Sequence, residues 1–416
     1  MDTLGSSRIN FYQGTTNLIK EEGAKKQPLE YIKERVAEFF NMKNVHFLFG
    51  SGTSCNAIPN MEGLYDAVRK KIYSQSDKKL KVELYSIIRK LQMKTNLEEI
   101  LGILYSHKNY LDGKSENKEM LSVCCNLINE IETVIFEKLN VDFSEPSCEV
   151  LRVLGIYQSF YRKIALRNKD LSRINIFTTN NDLFNEAALD SLSIHYINGF
   201  SGGLDRFFNP ALFNYTFAKR MDTSIEKFEP VENMIYLYKL HGSINWIEDV
   251  KNKNKFFKTK EIYKPSKENN NILIFPTPIK QNKSLGSPYV ELFREFQKKL
   301  LDPHSVLFII GYSFSDEHVN NIIYQALAVN STINVVIIND VNDKDISKNN
   351  DNRIFKIWGE VEKENVDGAV DTKDKTEKIH FFNYIVQNLL PNIDAFKQKD
   401  TNIEKFITFY NESLSK

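Results

Sequence analysis

The stretch Ile174-Asn175-Ile176-Phe177-Thr178-Thr179-Asn180-Asn181-Asp182 changes abruptly from apolar to polar residues. This pattern predicts a buried strand, and the ligand crevice of an open parallel sheet lies just beyond the carboxyl ends of its strands. We therefore expect Asn180 and Asp182 to face a ligand. The stretch also fits a simpler interpretation, in which Asn or Asp caps a helix that begins at Leu183. Taken alone, the helix cap is favoured, and only the other motifs of the chain reverse that preference.

The composition indicates a soluble protein of two structural units, since 416 residues exceed the roughly 100 to 200 residues of a usual domain. A formal net charge of +1 provides no overall field for nucleic acid or an anionic membrane, so neither is an expected partner. No apolar run approaches the about 20 residues of a membrane span, and residues 1–10 lack the apolar core of a signal peptide. The sequence therefore predicts a cytoplasmic protein.

Cysteine usage gives no sign of a metal site. The four cysteines are Cys55, Cys124, Cys125 and Cys148, and no two of them form a C-x-x-C pair. Zinc ribbons and disulfide frameworks both need regular cysteine spacing. We expect reduced, mostly structural cysteines and no zinc or other bound metal.

A first glycine-rich loop, Gly50-Ser51-Gly52-Thr53-Ser54, follows the predicted strand Val45–Phe49. Glycines after a strand let backbone N–H groups approach a phosphate, and a helix that starts near Asn60 would add its dipole. The loop is an incomplete G-x-G-x-x-G because Cys55 occupies the last position. A plain tight turn is therefore an equal alternative for this loop.

Helical periodicity dominates from residue 60 to about residue 169, which predicts a large helical insertion between the first two strands. The predicted domains are thus a sheet domain of residues 1–59 and 170–416 and an insertion of residues 60–169. The apolar stripe along residues 120–135 is most simply core, because stripes at this spacing usually face other helices. A function as a lid or an assembly surface is the alternative.

Three further strands end in polar residues. Ile235–Leu240 leads to His241, and a histidine at a strand end is a candidate general base, although most histidines have structural roles. Ser305–Ile310 leads to a second glycine loop, in which Ser315 or Asp316 is the natural cap of the following helix. Ile333–Ile338 leads to Asn339. The basic run of residues 251–260, KNKNKFFKTK, favours a solvated hairpin over a nucleic-acid surface.

Five motifs together resemble the sirtuin-like NAD-hydrolase family of bacterial anti-phage defence systems. The motifs are GSGTS at Gly50, TTNND at Thr178, KLHGS at Lys239, IGYSFSDEHVNNII at Ile310 and VVIIND at Val335. They follow the order of the family over residues 44–340. The resemblance implies an α/β fold with a Rossmann-like parallel sheet and a large helical insertion.

The resemblance also implies how these residues bind NAD as a substrate. Asn180 and Asp182 match positions at the nicotinamide ribose, and His241 matches the catalytic position. The residues implied to bind the pyrophosphate and the rest of NAD are Gly50, Ser51, Gly52, Ser54, Thr178, Gly311, Ser313 and Asn339. Deacylating sirtuins carry four zinc cysteines after the catalytic histidine and Asp-Phe-Arg after the first loop. Here no cysteine follows His241 and the loop continues Ala57-Ile58-Pro59-Asn60, which argues against acyl-lysine chemistry.

The predicted activity is therefore hydrolysis of NAD+ to nicotinamide and ADP-ribose, which would deplete NAD+ during phage defence. Asn180 would hold the ribose and an attacking water, His241 would accept a proton, and Asp182 would orient the site and favour the developing positive charge. The alternative is a non-catalytic module of a defence complex that senses NAD or ADP-ribose. The family layout further implies a possible HerA-type ATPase partner. The insertion and the predicted terminal helices, Phe381–Leu390 and Ile393–Tyr410, supply surplus apolar surface, which predicts a homo-oligomer.

Overall fold

The computed structural model describes residues 8–22, 27–90, 97–113, 117–165, 167, 171–221, 227–231, 233–249, 257–267, 271–273, 287–362 and 376–391. The helix predicted over Ile393–Tyr410 and most of the basic run at 251–260 lie outside these residues. Within the described ranges, no helix is both long enough and apolar enough to cross a membrane.

A ten-stranded sheet forms the centre of the described chain. Its middle strands are parallel, and antiparallel strands are added beyond one edge. Numbered in chain order, the strands lie side by side as β2 (Thr16–Asn17), β1 (Arg8–Gln13), β16 (Ile354–Glu362), β15 (Asn334–Ile338), β14 (Ser305–Ile310), β3 (Asn44–Phe49), β4 (Ile174–Thr178), β10 (Met234–Lys239) and β5 (His195–Ile197), while β17 (Thr376–Lys378) also pairs with β16.

The strand order reverses beside β3. The chain first adds β4 and β10 on one side of β3 and later adds β14 and β15 on its other side. In open α/β sheets, ligands bind beyond the carboxyl ends of the strands at such a reversal. The topology therefore points to the edge where β3 and β14 end.

Helices cover both faces of the sheet. Successive residues of a central strand accordingly belong to two different hydrophobic cores. Phe47 and Phe49 lie in one core and Leu48 in the other. The predicted α/β class with a parallel sheet is confirmed. The helices are α1 (Leu18–Glu22), α2 (Pro28–Phe40), α3 (Met61–Ser74), α4 (Lys78–Lys90), α5 (Leu97–Asp112), α6 (Lys118–Leu139), α7 (Cys148–Ile164), α8 (Phe184–Ser191), α9 (Tyr289–Leu300), α10 (Glu317–Val329), α11 (Asp345–Lys348) and α12 (Phe382–Tyr384).

The insertion has a hydrophobic core of its own, built from α3, α4, α5 and α6. Asn60 caps α3, since its side chain accepts a hydrogen bond from the Gly63 N–H. By contrast α7 packs on the sheet, where Phe160 makes edge contacts with Phe47 and Phe49. The separate packing unit therefore ends at α6, one helix before the predicted boundary at residue 169, because the aromatic face of α7 fits the sheet.

Several strands were not predicted. A second, antiparallel sheet contains β13 (Asn271–Leu273), which the sequence does predict as a strand. It also contains β11 (Gly242–Glu248), β12 (Thr259–Glu261), β7 (Arg206–Phe208) and β6 (Phe200–Ser201), which were missed, as was the pair of β8 (Ala218–Arg220) and β9 (Phe228–Pro230). The strands β1 and β16 of the central sheet were also missed. The predicted helix over Phe381–Leu390 corresponds to α12 followed by a π-helix over Ile385–Leu389.

Candidate functional site

All five predicted motifs lie at one edge of the sheet. They follow β15, β14, β3, β4 and β10, which are consecutive neighbours in the sheet. All four neighbouring pairs are parallel, so their carboxyl ends are side by side. Motifs up to about 290 residues apart in sequence thus meet in space, given that the first begins at Gly50 and the last ends at Asp340.

The two glycine loops touch each other directly. The Gly52 N–H donates to the Gly311 carbonyl oxygen at 2.9 Å. A Cβ atom at Gly50 would lie 2.5 Å from that same oxygen, and one at Gly52 would lie 2.7 Å from the Gly311 Cα. Gly311 itself has a φ of +64°, in the region that favours glycine. The glycines are therefore required for loop contact, a structural reason that the phosphate interpretation did not include.

Ser51 and Ser313, one on each glycine loop, remain exposed. The Ser313 hydroxyl lies 2.9 Å from the Ser315 hydroxyl. Asn339 is half-buried, and its Nδ2 donates to the Tyr312 carbonyl oxygen at 2.9 Å. Asn339 therefore fastens the second glycine loop, while Ser51, Ser313 and Ser315 are exposed and have hydroxyl groups accessible to an anion.

Asn180 is held in a buried polar network. Its Nδ2 donates to Thr53 Oγ1 at 3.1 Å and to Ser54 Oγ at 3.3 Å, and its backbone N–H donates to Thr178 Oγ1 at 3.0 Å. The Tyr157 hydroxyl from α7 lies 2.7 Å from Thr53 Oγ1 and 3.0 Å from Ser54 Oγ. The two acceptors of the amide nitrogen thus fix the orientation of the Asn180 side chain.

Asp182 lies behind this network rather than in front of it. Its side chain is 2% exposed, and its Oδ2 accepts a hydrogen bond from Ser54 Oγ at 2.9 Å. Its Oδ1 accepts from the Phe184 N–H at 3.1 Å, at the start of α8. Burial raises the pKa of this carboxyl, and the charge of Lys239 opposes the rise. The helix-start interpretation of the TTNND motif thus applies to Asp182, which also positions Ser54, while its contact with a ligand stays a prediction.

His241 lies in the turn between β10 and β11, the point where the chain passes from the central sheet to the second sheet. Gly242 permits the turn with a φ of +79°. Asn181 fixes it, because its Nδ2 donates to the carbonyl oxygens of His241 at 2.7 Å and Gly242 at 3.1 Å. The local sequence around Asn181 does not predict this role.

The side chain of His241 pairs with Asp316. His241 Nε2 lies 2.9 Å from Asp316 Oδ2, and both side chains are nearly buried. The same carboxylate caps α10, since its Oδ1 accepts from the N–H groups of His318 at 2.9 Å and Val319 at 3.2 Å. The predicted cap role of Asp316 is confirmed. Its pairing with His241 was missed, although its position just beyond a strand end is the signal that singled out Asp182.

Lys239 stabilises the turn that carries His241. It is 1% exposed, and its Nζ donates to Glu186 Oε1 at 2.9 Å, to Ser243 Oγ at 2.7 Å and to the Asp182 carbonyl oxygen. This buried cation therefore joins the turn after β4 to the turn after β10. The KLHGS motif thus contributes a positioning lysine as well as the histidine.

Comparison with known proteins supports a sirtuin-like segment. The family described as SIR2-like domain matches residues 174–338, a range that contains Asn180, Asp182, His241 and Asp316. No curated protein matches the chain. Among the solved structures that match, one described as "Structural Basis for the Mechanism and Regulation of Sir2 Enzymes" is 11% identical, covers 76% of this chain and 88% of that chain, and has a TM-score of 0.34.

Proposed function

We propose that this protein hydrolyses the N-glycosidic bond of NAD+ and releases nicotinamide and ADP-ribose. The observation that carries the proposal is that Asn180 and the His241–Asp316 pair meet at one sheet edge, within a segment similar to SIR2-like domains. The SIR2-like match favours NAD+ as the substrate. The pair of an amide and a paired histidine favours catalysis over simple binding.

The chemistry needs positioning more than acid assistance. In NAD+ the leaving nicotinamide is already cationic, so the bond between ribose C1′ and the ring nitrogen breaks with its electron pair moving to that nitrogen. A water oxygen then bonds to C1′ and loses one proton. We assign the Oδ1 of Asn180 to hold the ribose or this water. The assignment is supported by the amide nitrogen, which Thr53 and Ser54 fix.

His241 is the proposed proton acceptor. Asp316 accepts the hydrogen bond of Nε2, so Nδ1 is the nitrogen that we assign to accept the proton of the attacking water. A carboxylate in this position orients the ring and stabilises the imidazolium that forms. Asp182 and Lys239 act as positioning residues, since Asp182 holds Ser54 and Lys239 holds the turn that carries His241.

A cavity of about 750 Å³ borders the loop that follows Ser54. It is lined by residues 55–60 and by residues of the insertion and the connection to α7, between 137 and 150. Pockets for small molecules and cofactors commonly have volumes of about 300 to 1,000 Å³. The cavity offers room for a ligand of this size beside the first glycine loop, although Asn180, His241 and Asp316 do not line it.

Incubation of the purified full chain with NAD+, followed by chromatography of the products, tests the proposal. We expect nicotinamide and ADP-ribose in equal amounts, and at least about 100-fold slower release in Asn180→Ala, the scale of a lost positioning group. Asn109→Ala, on the exposed side of α5, is the matched control and should keep the wild-type rate. Equal rates in wild type and Asn180→Ala would exclude this site. Binding of NAD+ without nicotinamide release would instead support the sensing module.

The proposal extends to control by assembly, because uncontrolled NAD+ hydrolysis would harm the host cell. Several large apolar side chains are exposed on the insertion, namely Met61, Tyr73, Val82, Tyr85 and Tyr110. Exposed apolar surface of this kind is typical of interfaces. We therefore propose that the chain forms a homo-oligomer. We also propose that it acts in anti-phage defence together with a HerA-type ATPase partner. Light scattering that finds a monomer at micromolar concentration, with turnover indifferent to such an ATPase, would remove this extension and leave the chemistry intact.

A further inference from the structure

The helical insertion contains a second cluster of polar side chains, far from the motifs in sequence. Glu83 on α4, His107 on α5 and Cys124 on α6 bring a carboxylate oxygen, a ring nitrogen and a sulfur within 4.8 Å of one another. Each ligand atom comes from a different helix. Sequence spacing therefore gave no sign of this cluster, and the expectation of no metal site rested on cysteine spacing alone.

The distances in the cluster are compatible with a bound ion, and the one between His107 and Glu83 is too long for a hydrogen bond. His107 Nδ1 lies 3.6 Å from Glu83 Oε1, which is longer than the roughly 2.7 to 3.2 Å of a nitrogen–oxygen hydrogen bond. Cys124 Sγ also lies 3.6 Å from the same nitrogen. Around a tetrahedral ion with bonds of about 2.0 to 2.3 Å, neighbouring ligand atoms lie about 3.3 to 3.7 Å apart. Both observed distances fall in this range.

The donor set selects the kind of ion. Magnesium and calcium prefer oxygen ligands throughout, whereas thiolate and imidazole suit zinc and similar transition metals. We propose that Glu83, His107 and Cys124 bind one zinc-type divalent transition-metal ion, with water as the fourth ligand. The site is independent of the proposed NAD+ chemistry, because its residues belong to the separate core of the insertion.

The cluster is partly exposed, which would let an ion enter, and partly buried, which would help to retain it. Cys124 is fully buried, and the side chains of Glu83 and His107 are 13% and 34% exposed. Glu83 also lines a groove of about 310 Å³ between α4 and the start of α6, so solvent reaches the cluster on the side of this carboxylate. A bound ion would join α4, α5 and α6. Its expected effect is therefore stabilisation of the insertion, since a metal that binds only the folded state adds to stability.

Metal titration of the purified full chain tests the site. After dialysis against a chelator, Co²⁺ should bind at one ion per chain, with the thiolate-to-cobalt absorption and the intense visible bands of a tetrahedral site. Zn²⁺ should displace it and raise the melting temperature. Cys124→Ser and His107→Asn should each weaken binding by more than the roughly 10- to 100-fold that follows loss of a group supporting a ligand. Cys125→Ser, which changes the neighbouring half-buried cysteine outside the cluster, should bind as wild type does.

Two results would overturn the proposal. One is wild-type protein without cobalt absorption and without a shift in melting temperature on addition of Zn²⁺. The other is unchanged affinity in His107→Asn, which would show that bound metal is adventitious. His107→Asn is the decisive variant because its side chain is partly exposed, so it should fold even where Cys124→Ser, in the core, does not.

Discussion

Two histidines in this protein each lie near a carboxylate. One is at the carboxyl ends of the parallel strands, and the other is in the helical insertion. His241 lies 2.9 Å from Asp316, within hydrogen-bond distance. His107 lies 3.6 Å from Glu83, beyond it, and has a cysteine sulfur at the same distance. In both places an imidazole lies near a carboxylate, and the two nitrogen–oxygen distances differ by less than 1 Å. We relate this difference to the two different roles that we propose.

The difference follows from what holds each carboxylate. Asp316 is fixed by two backbone N–H groups at the start of α10, so its other oxygen, Oδ2, meets the imidazole in one geometry. Such a contact selects the tautomer of the ring. Glu83 has no comparable backbone contact among the described residues, and the third group at its cluster is a sulfur. A fixed hydrogen bond suits proton transfer, whereas three converging donors suit an ion.

The largest expected effect separates the histidines by activity. His241→Ala should slow NAD+ hydrolysis at least about 100-fold, which corresponds to about 2.7 kcal/mol of transition-state stabilisation. The physical reason is loss of the proton acceptor and of the ring that Asp316 orients.

The matched control is His195→Ala, an exposed histidine on β5. Its rate should equal that of wild type in the same nicotinamide-release assay. If His241→Ala hydrolysed NAD+ as fast as His195→Ala, His241 would have no catalytic role.

Much of the sheet edge could be predicted from sequence. Buried parallel strands are continuous apolar runs, so residues 174–178 and 305–310 were identified directly, and polar residues at their ends marked Asn180 and the second glycine loop. A parallel sheet then requires that these ends lie together. The α/β class follows from the same pattern.

Other features depend on tertiary contacts that no local pattern encodes. The pairing of Asp316 with His241 joins residues 75 positions apart. In the sequence, the helix-cap role of Asp316 was already a sufficient reason for an aspartate at this position, so nothing indicated a second role. The strand β16 lies between polar segments and gains its place by pairing with β1 and β15. The cluster of Glu83, His107 and Cys124 arises only when three helices pack, so its ligands have no motif spacing.

A third histidine shows what burial does without a carboxylate contact. His46 on β3 is fully buried, and its Nδ1 lies 3.2 Å from Asn175 Nδ2. Burial, with a smaller contribution from the charge of Lys299, lowers the pKa of His46 from 6.5 to about 3. The folded state therefore keeps this ring neutral, while the unfolded state protonates it below pH 6.5.

Stability should consequently be lost as the pH falls from about 6.5 toward 3. Between pH 7 and pH 5, His46 alone should lower the free energy of unfolding by about 2 kcal/mol, a contribution absent from His46→Gln. Urea unfolding of both proteins at the two pH values measures it. Equal losses in wild type and His46→Gln would show that His46 does not control acid sensitivity.

The smallest expected effect separates the two roles of Asp316. Asparagine caps helices about as well as aspartate, so Asp316→Asn should leave the melting temperature close to that of wild type. Its neutral amide cannot stabilise an imidazolium, so NAD+ hydrolysis should fall at least about 10-fold, or about 1.4 kcal/mol. Asp316→Ala removes both contacts and should also lose about 1 kcal/mol of stability through the cap. A fall in activity that tracks the loss of stability across both variants would reduce Asp316 to a helix cap, whereas inactive but stable Asp316→Asn would establish that the carboxylate acts through His241.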